Sequence, residues 1–388
     1  MVEARTRLAA VLTVAVLSCS TTACTGDSRA GNRSSTSSHP AGSPKTSAAA
    51  TPTRPIDRAV AAVLKTADEA GRNTGAEALV RVGSESKVVV HGMADIAAKR
   101  AVRPHDRFPI ASITKSMVAT AVLQYVAKGR IRLADSADRW LPGLLPSRKI
   151  TIRQLLSHRS GLHEPADRTL QHKSRAAPPD ATVWQLINRV TDMELIKAST
   201  RQPLDFPPGT DGAYSNVGYA VLGLLVERLS HEPLGTALKE AVFDRADMTS
   251  TTMGGRPTVL GYDDQGKVVS SSLFVFGRGA GGVVSTAEDV DRFYRHLLAG
   301  DLLPVELVHD MAQPTGTIPL DIGKYGLGLW IWPDRCGDGI GHSGSTFGFS
   351  TKAFTILDKH RSVVVLVNQS DTPDHLSAGI ADNALCFF

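Results

Sequence analysis

The chain has 388 residues, 42% of them hydrophobic, with 43 Lys and Arg against 38 Asp and Glu and a formal net charge of +5. Most of that excess sits in residues 1–56, which hold six basic and two acidic residues, so the body that follows is close to neutral. The charge balance therefore excludes a nucleic-acid-binding footprint, and the roughly 330 residues of body suffice for one large domain or two lobes.

Arg5 and Arg7 precede an apolar stretch at 8–17, too short to span a bilayer as a helix of ~20 residues. Residues 1–24 read as a signal peptide. Small residues around Cys19 and Cys24 resemble a bacterial lipoprotein cleavage site, with either cysteine as the lipidation point and ordinary signal cleavage as the alternative. Residues 25–55 are Ser, Thr, Ala, Gly and Pro without periodicity, a disordered tether. These features predict an extracellular or cell-envelope protein, in contact with the membrane only through an N-terminal lipid anchor if it has one. In an exported chain the two body cysteines, Cys336 and Cys386, suggest a disulfide. No Cys/His spacing looks like a metal site, and no cofactor motif stands out.

The body, 56–388, opens with a helix at 58–70 and two β-like runs, 78–82 and 88–91, joined by Gly83 and Ser84-Glu85-Ser86-Lys87. Phe108-Pro109-Ile110-Ala111-Ser112-Ile113-Thr114-Lys115 then leads into an apolar run that Gly129 is placed to end. Ser112 and Lys115 are three residues apart on this helix, hence on one face. A serine hydroxyl becomes a nucleophile when a neighbour takes its proton, and a desolvated lysine amine can do so. Ser84 and Lys87 repeat the spacing in what reads as a solvated hairpin turn.

The middle, 131–282, reads as helix and loop; the C-terminal part adds β-rich runs at 352–357 and 362–367 and a final helix opened by Pro373. That pattern predicts an α/β lobe (56–130 and 283–388) with a helical lobe (131–282) inserted and the active site between them. Tyr214-Ser215-Asn216 lies on a loop after Pro207-Pro208-Gly209 and just ahead of a helix at 217–229. Beside a lysine, Tyr214 reads as a phenolate or a proton shuttle, or as ordinary packing. His342-Ser343-Gly344-Ser345 is a small-residue run suited to close approach of a substrate backbone, or a plain turn. Gly279-Ala280-Gly281-Gly282 permits a tight passage near a cleft. His158 and Ser160, adjacent in a helix-end segment, read as structural.

Ser112-x-x-Lys115, Tyr214-x-Asn216 and His342-x-Gly344, in that order, resemble the three motifs of the serine β-lactamase/penicillin-binding superfamily. The Tyr-x-Asn variant is similar to class C β-lactamases, D-alanyl-D-alanine carboxypeptidases and related esterases. Supporting segments at 155–162, 206–210, 281–289 and 325–330 match as well. The resemblance implies an α+β, β-lactamase/transpeptidase-like fold with an antiparallel sheet flanked by helices. It implies an acyl-enzyme at Ser112, a base formed by Lys115 and Tyr214, and an oxyanion hole from the backbone N–H groups of Ser112 and Ser345. Asn216 would bond the substrate amide, and His342 and Ser343, with Gly344 and Ser345, would meet the leaving group or a substrate carboxylate. Lactamases usually carry Lys where His342 stands, which favours a carboxypeptidase acting on D-amino-acid peptides such as peptidoglycan stems. A β-lactamase or esterase is the close alternative, and a non-catalytic cell-wall-peptide binder the alternative of another class. A monomer with a small peptide or β-lactam as its partner is the expectation. As His342 gains charge below its free value of ~6.5, affinity for carboxylate substrates is expected to rise.

Overall fold

The computed structural model describes residues 54–69, 74–165, 191–263, 265–269, 277–316, 324–334, 336–370 and 376–386. The leader, Cys19, Cys24, nearly all of the tether, and Pro373 lie outside the described residues. Helix α1 (Pro55–Glu69) begins three residues before the expected start, because a proline is well suited to the first helical position. Strands β1 (Ala76–Val82) and β2 (Glu85–His91) form a hairpin in which Val82 pairs with Glu85. Ser84 therefore lies in the turn, beside Gly83 at φ +60°.

Short strands β3 (Met93–Asp95), β4 (Arg100–Ala101) and β5 (Phe108–Pro109) lead to a 3-10 turn, Ala111–Ile113, and to helix α2 (Thr114–Ala127). Every side chain from Thr114 to Gln124 is buried, as an all-round apolar helix requires. Gly129 follows at φ +65°, a conformation that ends a helix at little steric penalty for glycine alone. The middle supplies α3 (Ile152–Leu156), α4 (Asp192–Thr200), α5 (Asn216–Ser230), α6 (Leu234–Leu238), β6 (Thr252–Met253) and the single turn α7 (Arg278–Gly281). Strand β7 (Val283–Ser285) pairs with β5 and β6, and α8 (Ala287–Ala299) and α9 (Val305–Ala312) follow. The chain closes with β8 (Lys324–Tyr325), β9 (Trp330–Asp334), β10 (Gly337–Thr346), β11 (Phe349–Ile356), β12 (Arg361–Val367) and α10 (Leu376–Leu385).

The main sheet has the order β2-β1-β12-β11-β10-β9-β8, with antiparallel pairing throughout. It is covered on both faces, and β12 shows why. Val363, Val365 and Val367 pack outward with Ile56, Val63 and Ile380 of α1 and α10. Val364 and Leu366 pack inward with residues of α2, α5 and α8. A strand buried on both faces reads as an unbroken apolar run rather than an alternating one. The inner core joins Leu79 and Phe108 to Ile150, Leu195 and Leu225, so it runs through residues of both expected lobes. Cys336 and Cys386 are joined with their Cα atoms 5.7 Å apart, which ties the start of β10 to the end of α10. This is a β-lactamase/transpeptidase-like fold. Among the described residues no helix is long and apolar enough to cross a membrane.

Candidate active site

Three segments meet at the N-terminal end of α2. The first is the 3-10 turn that carries Ser112. Ala111, just before it, has φ +47°, a left-handed conformation that a non-glycine residue adopts under constraint. Lys115 lies in the first turn of α2, fully buried, with Nζ 2.9 Å from Ser112 Oγ. The same Nζ donates to Asn216 Oδ1 at 2.9 Å and to the Ala280 carbonyl at 2.8 Å. The last two partners are acceptors only. A neutral amine has two N–H groups, which these acceptors occupy, so its lone pair is left facing the serine hydroxyl. Burial pushes the lysine down to about 7, against which Glu164 pulls it upward. Near neutral pH a large fraction of Lys115 is therefore the free amine.

The second segment is the loop entering α5. Ser215 caps that helix by accepting from the Gly218 N–H at 3.0 Å, which sets Tyr214 and Asn216 on either side of the cap. The Tyr214 ring lies 4.7 Å from Lys115 Nζ, and its hydroxyl is close enough to Ser112 to act on it. Burial drives the phenol well above its ordinary range despite that neighbour. Burial thus favours the neutral hydroxyl and the proton-shuttle reading of Tyr214 over the phenolate one.

The third segment is β10. Gly344 is forced by packing, since a Cβ there would lie 2.5 Å from both the Ile110 carbonyl and Thr351 Oγ1 and 3.0 Å from the Ser112 nitrogen. The strand thus abuts the backbone of the serine turn, with Ser345 next in sequence and exposed at the sheet surface. Ser343 is half-buried and pairs with Lys352 of β11.

His342 departs from expectation. Its side chain is fully buried, accepts at Nε2 from the Tyr325 hydroxyl at 3.0 Å, and donates from Nδ1 to the Ser343 carbonyl at 2.5 Å. The ring also meets Trp330 edge-on at 5.6 Å. Burial, with the Lys115 charge adding to it, pushes the imidazole down to about 3. With the imidazole held neutral by burial, a gain of charge between neutral and mildly acidic pH is not expected.

Two participants, the Ala280 carbonyl and Glu164, had no role assigned from the sequence. The Ala280 carbonyl belongs to α7, and the glycines around it allow close approach: a Cβ on Gly279 would lie 2.4 Å from the Tyr219 carbonyl. Their run was the available signal. Glu164 accepts from the backbone N–H groups of Asn216 at 2.9 Å and Val217 at 3.4 Å. His158, with φ +58°, accepts from the Ser215 N–H at 3.1 Å and stacks 4.3 Å from Tyr214, so its structural reading agrees with its position. Glu164 carried no spacing signal at all. Among the described residues no cluster of His, Cys, Asp and Glu could hold a metal ion.

Comparison with known proteins places this geometry in context. The family profile described as Beta-lactamase matches residues 57–385. A penicillin-binding protein of Bacillus subtilis (strain 168) is 25% identical over 74% of this chain and 66% of its own length. A D-aminopeptidase of Cereibacter sphaeroides is 25% identical over 80% of this chain and 60% of its own. Among solved structures, a D-stereospecific amidohydrolase from Streptomyces sp. superposes with a TM-score of 0.72 at 27% identity, covering 84% of this chain and 99% of that one. The chain spans roughly half to two thirds of the length of the first curated relatives it matches. With the family profile matched along nearly the whole body, the chain belongs to the beta-lactamase family, within the β-lactamase/penicillin-binding superfamily.

Proposed function

We propose that this protein is an exported acyl-enzyme hydrolase of D-amino-acid peptides and amides. In that reading the neutral Lys115 amine takes the Ser112 proton as Oγ attacks the substrate carbonyl carbon. The oxyanion is received by the backbone N–H groups of Ser112 and Ser345. Tyr214 then passes that proton from Lys115 to the leaving nitrogen as the C–N bond breaks; water, deprotonated by Lys115, next attacks the ester carbonyl, and Ser112 Oγ leaves and regains the proton. The observation that carries this is the lysine with two obligate acceptors and one serine hydroxyl around it. An intact proton-transfer set of this kind is not needed by a pure binding protein.

The D-alanyl-D-alanine carboxypeptidase reading shares this chemistry and differs in recognition of a free carboxylate. The neutral, buried His342 offers no cation for that purpose. Amide and aminopeptidase substrates therefore take precedence, a preference in keeping with the named activities of the D-aminopeptidase and the D-stereospecific amidohydrolase among its relatives. Export, with anchoring through Cys19 or Cys24, rests on the leader and on the paired cysteines.

The test is a panel of D-amino-acid amides, D-Ala-D-Ala peptides, nitrocefin and p-nitrophenyl esters compared by kcat/KM. D-amino-acid amides should rank first among the amide substrates and their L-enantiomers should be poor. A preference for D-Ala-D-Ala peptides over the amides would restore the carboxypeptidase reading. Failure of a fluorescent penicillin to label the wild type, with no turnover of any panel member, would leave only the binder.

A further inference from the structure

The Asn216 side chain hydrogen-bonds Lys115 to the start of α5. Its Oδ1 accepts from Lys115 Nζ, which requires that the amide nitrogen point away from the lysine. The reversed amide would set N–H against N–H and leave Lys115 short of an acceptor. Glu164 is the group that fixes where that amide sits. Its carboxylate accepts from the Asn216 and Val217 backbone N–H groups at 2.9 and 3.4 Å, at the start of α5. Burial raises that carboxyl, while these donors, the Lys115 charge and the helix dipole favour its charged form.

The surroundings of Lys115 make that charge count. Ser112 faces it from the 3-10 turn, Asn216, Tyr214 and Tyr219 from α5 and the loop ahead of it, and the Ala280 carbonyl from α7. His158 at the end of α3 and His342 in β10 feel its charge. Burial keeps both imidazoles neutral by pushing them down, and keeps both phenols neutral by pushing them up. Glu164 is the acidic group that acts on the lysine.

We infer that Glu164 is a positioning residue for the reaction centre, anchoring the first turn of α5 so that Asn216 keeps Oδ1 toward Lys115, and placing a negative charge beside that amine. The inference rests on Lys115 acting as the base for Ser112. Removing the charge lowers the lysine further, because a nearby carboxylate favours the ammonium form. Removing the anchor loosens the turn that carries Asn216 and misplaces the amine.

The experiment measures Ser112-dependent acylation by p-nitrophenyl acetate between pH 5.5 and 9 in wild type, Glu164→Gln and Glu164→Asp, with Ser112→Ala as the blank and thermal melts as the check on folding. For Glu164→Gln the acid-limb midpoint should fall by about one pH unit, so that at pH 6 the variant retains about fivefold more of its own plateau rate than wild type does of its own. The plateau itself should drop about tenfold through misplacement. Glu164→Asp, which keeps the charge at shorter reach, should bring the midpoint back toward wild type. A Glu164→Gln midpoint that stays or rises overturns the inference, as does a folded Asp variant whose midpoint sits where that of the Gln variant does. A wild type no faster than the Ser112→Ala blank would instead overturn the reading of the site itself, and the inference with it.

Discussion

Tyr325 donates its hydroxyl to His342 Nε2 at 3.0 Å, and that single bond, inside a ring cluster with Trp330, takes the histidine out of the solution chemistry of the site. With Nδ1 donating to the Ser343 carbonyl, protonation would need Nε2, the atom already in use. The imidazole, held down at about 3 by burial, stays neutral across the working range. A peptide with a free carboxylate and its methyl ester should accordingly show parallel pH profiles of KM between pH 5.5 and 8. A low-pH advantage confined to the carboxylate would mean that His342 does charge, and the assigned tautomer would be wrong.

The serine assignment separates two copies of one motif. Ser112→Ala should abolish covalent labelling by fluorescent penicillin, while Ser84→Ala, in the exposed β1–β2 turn, should label and turn over as wild type does. Intact-protein mass spectrometry after incubation with a penicillin reads both. A labelled Ser112→Ala protein would move the nucleophile elsewhere.

Tyr214 yields a prediction about leaving groups. As a neutral phenol beside Ser112, it serves chiefly to deliver a proton to the departing atom. An amide nitrogen needs that proton; a p-nitrophenolate leaves without it. Tyr214→Phe should therefore cost about 100-fold or more in kcat/KM on an amide, and much less on a p-nitrophenyl ester. Equal losses on the two substrates would make Tyr214 a base for the serine rather than a relay.

How far the sequence reached depends on where each partner comes from. Ser112 and Lys115 were legible because a helix converts a three-residue spacing into a shared face, and Tyr214 and Asn216 because Pro207-Pro208-Gly209 announces the loop ahead of α5. The paired strands β11 and β12 were legible from their apolar runs. What stayed hidden is what tertiary packing alone supplies. The Ala280 carbonyl is a backbone atom 165 residues from Lys115, with no letter of its own. Glu164 meets α5 across 52 residues with no periodic mark. The charge state of His342 depends on Tyr325, 17 residues away on another strand, and on burial that no motif encodes.

Gly344 tests the contact between β10 and the serine turn. A methyl group at this position would meet the Ile110 carbonyl and Thr351 Oγ1, both held in place by a mutual bond of 3.1 Å. Neither can retreat cheaply, so Gly344→Ala should push β10 away from the Ser112 nitrogen and separate the two oxyanion donors. Loss of one such donor typically slows acyl transfer by about 10²–10³-fold. Stopped-flow acylation should show that loss with the Ser112–Lys115 pH dependence unchanged. A Gly344→Ala protein within a few-fold of wild type would show that the oxyanion is held by other donors.

The last prediction concerns stability, away from the reaction. Glu77 on β1 is fully buried, accepts one weak bond from the His105 N–H at 3.4 Å, and leaves Oε2 without a partner. Burial raises its carboxyl to about 8, and the neighbouring Asp106 and Glu288 add to the rise. Because the folded value exceeds the unfolded one, near 4.5, the folded state holds the proton over that interval while the unfolded state has released it. Stability from this group is therefore intact below about pH 4.5 and is lost as the pH climbs through about 8. Glu77→Gln keeps the shape and cannot ionise, so the difference between the two proteins isolates the one group. Urea unfolding should find the variant within ~0.5 kcal/mol of wild type at pH 5 and more stable by at least ~1 kcal/mol at pH 9. A difference that stays constant from pH 5 to pH 9 would show that Glu77 is already ionised in the folded protein, with a compensating donor close to Oε2.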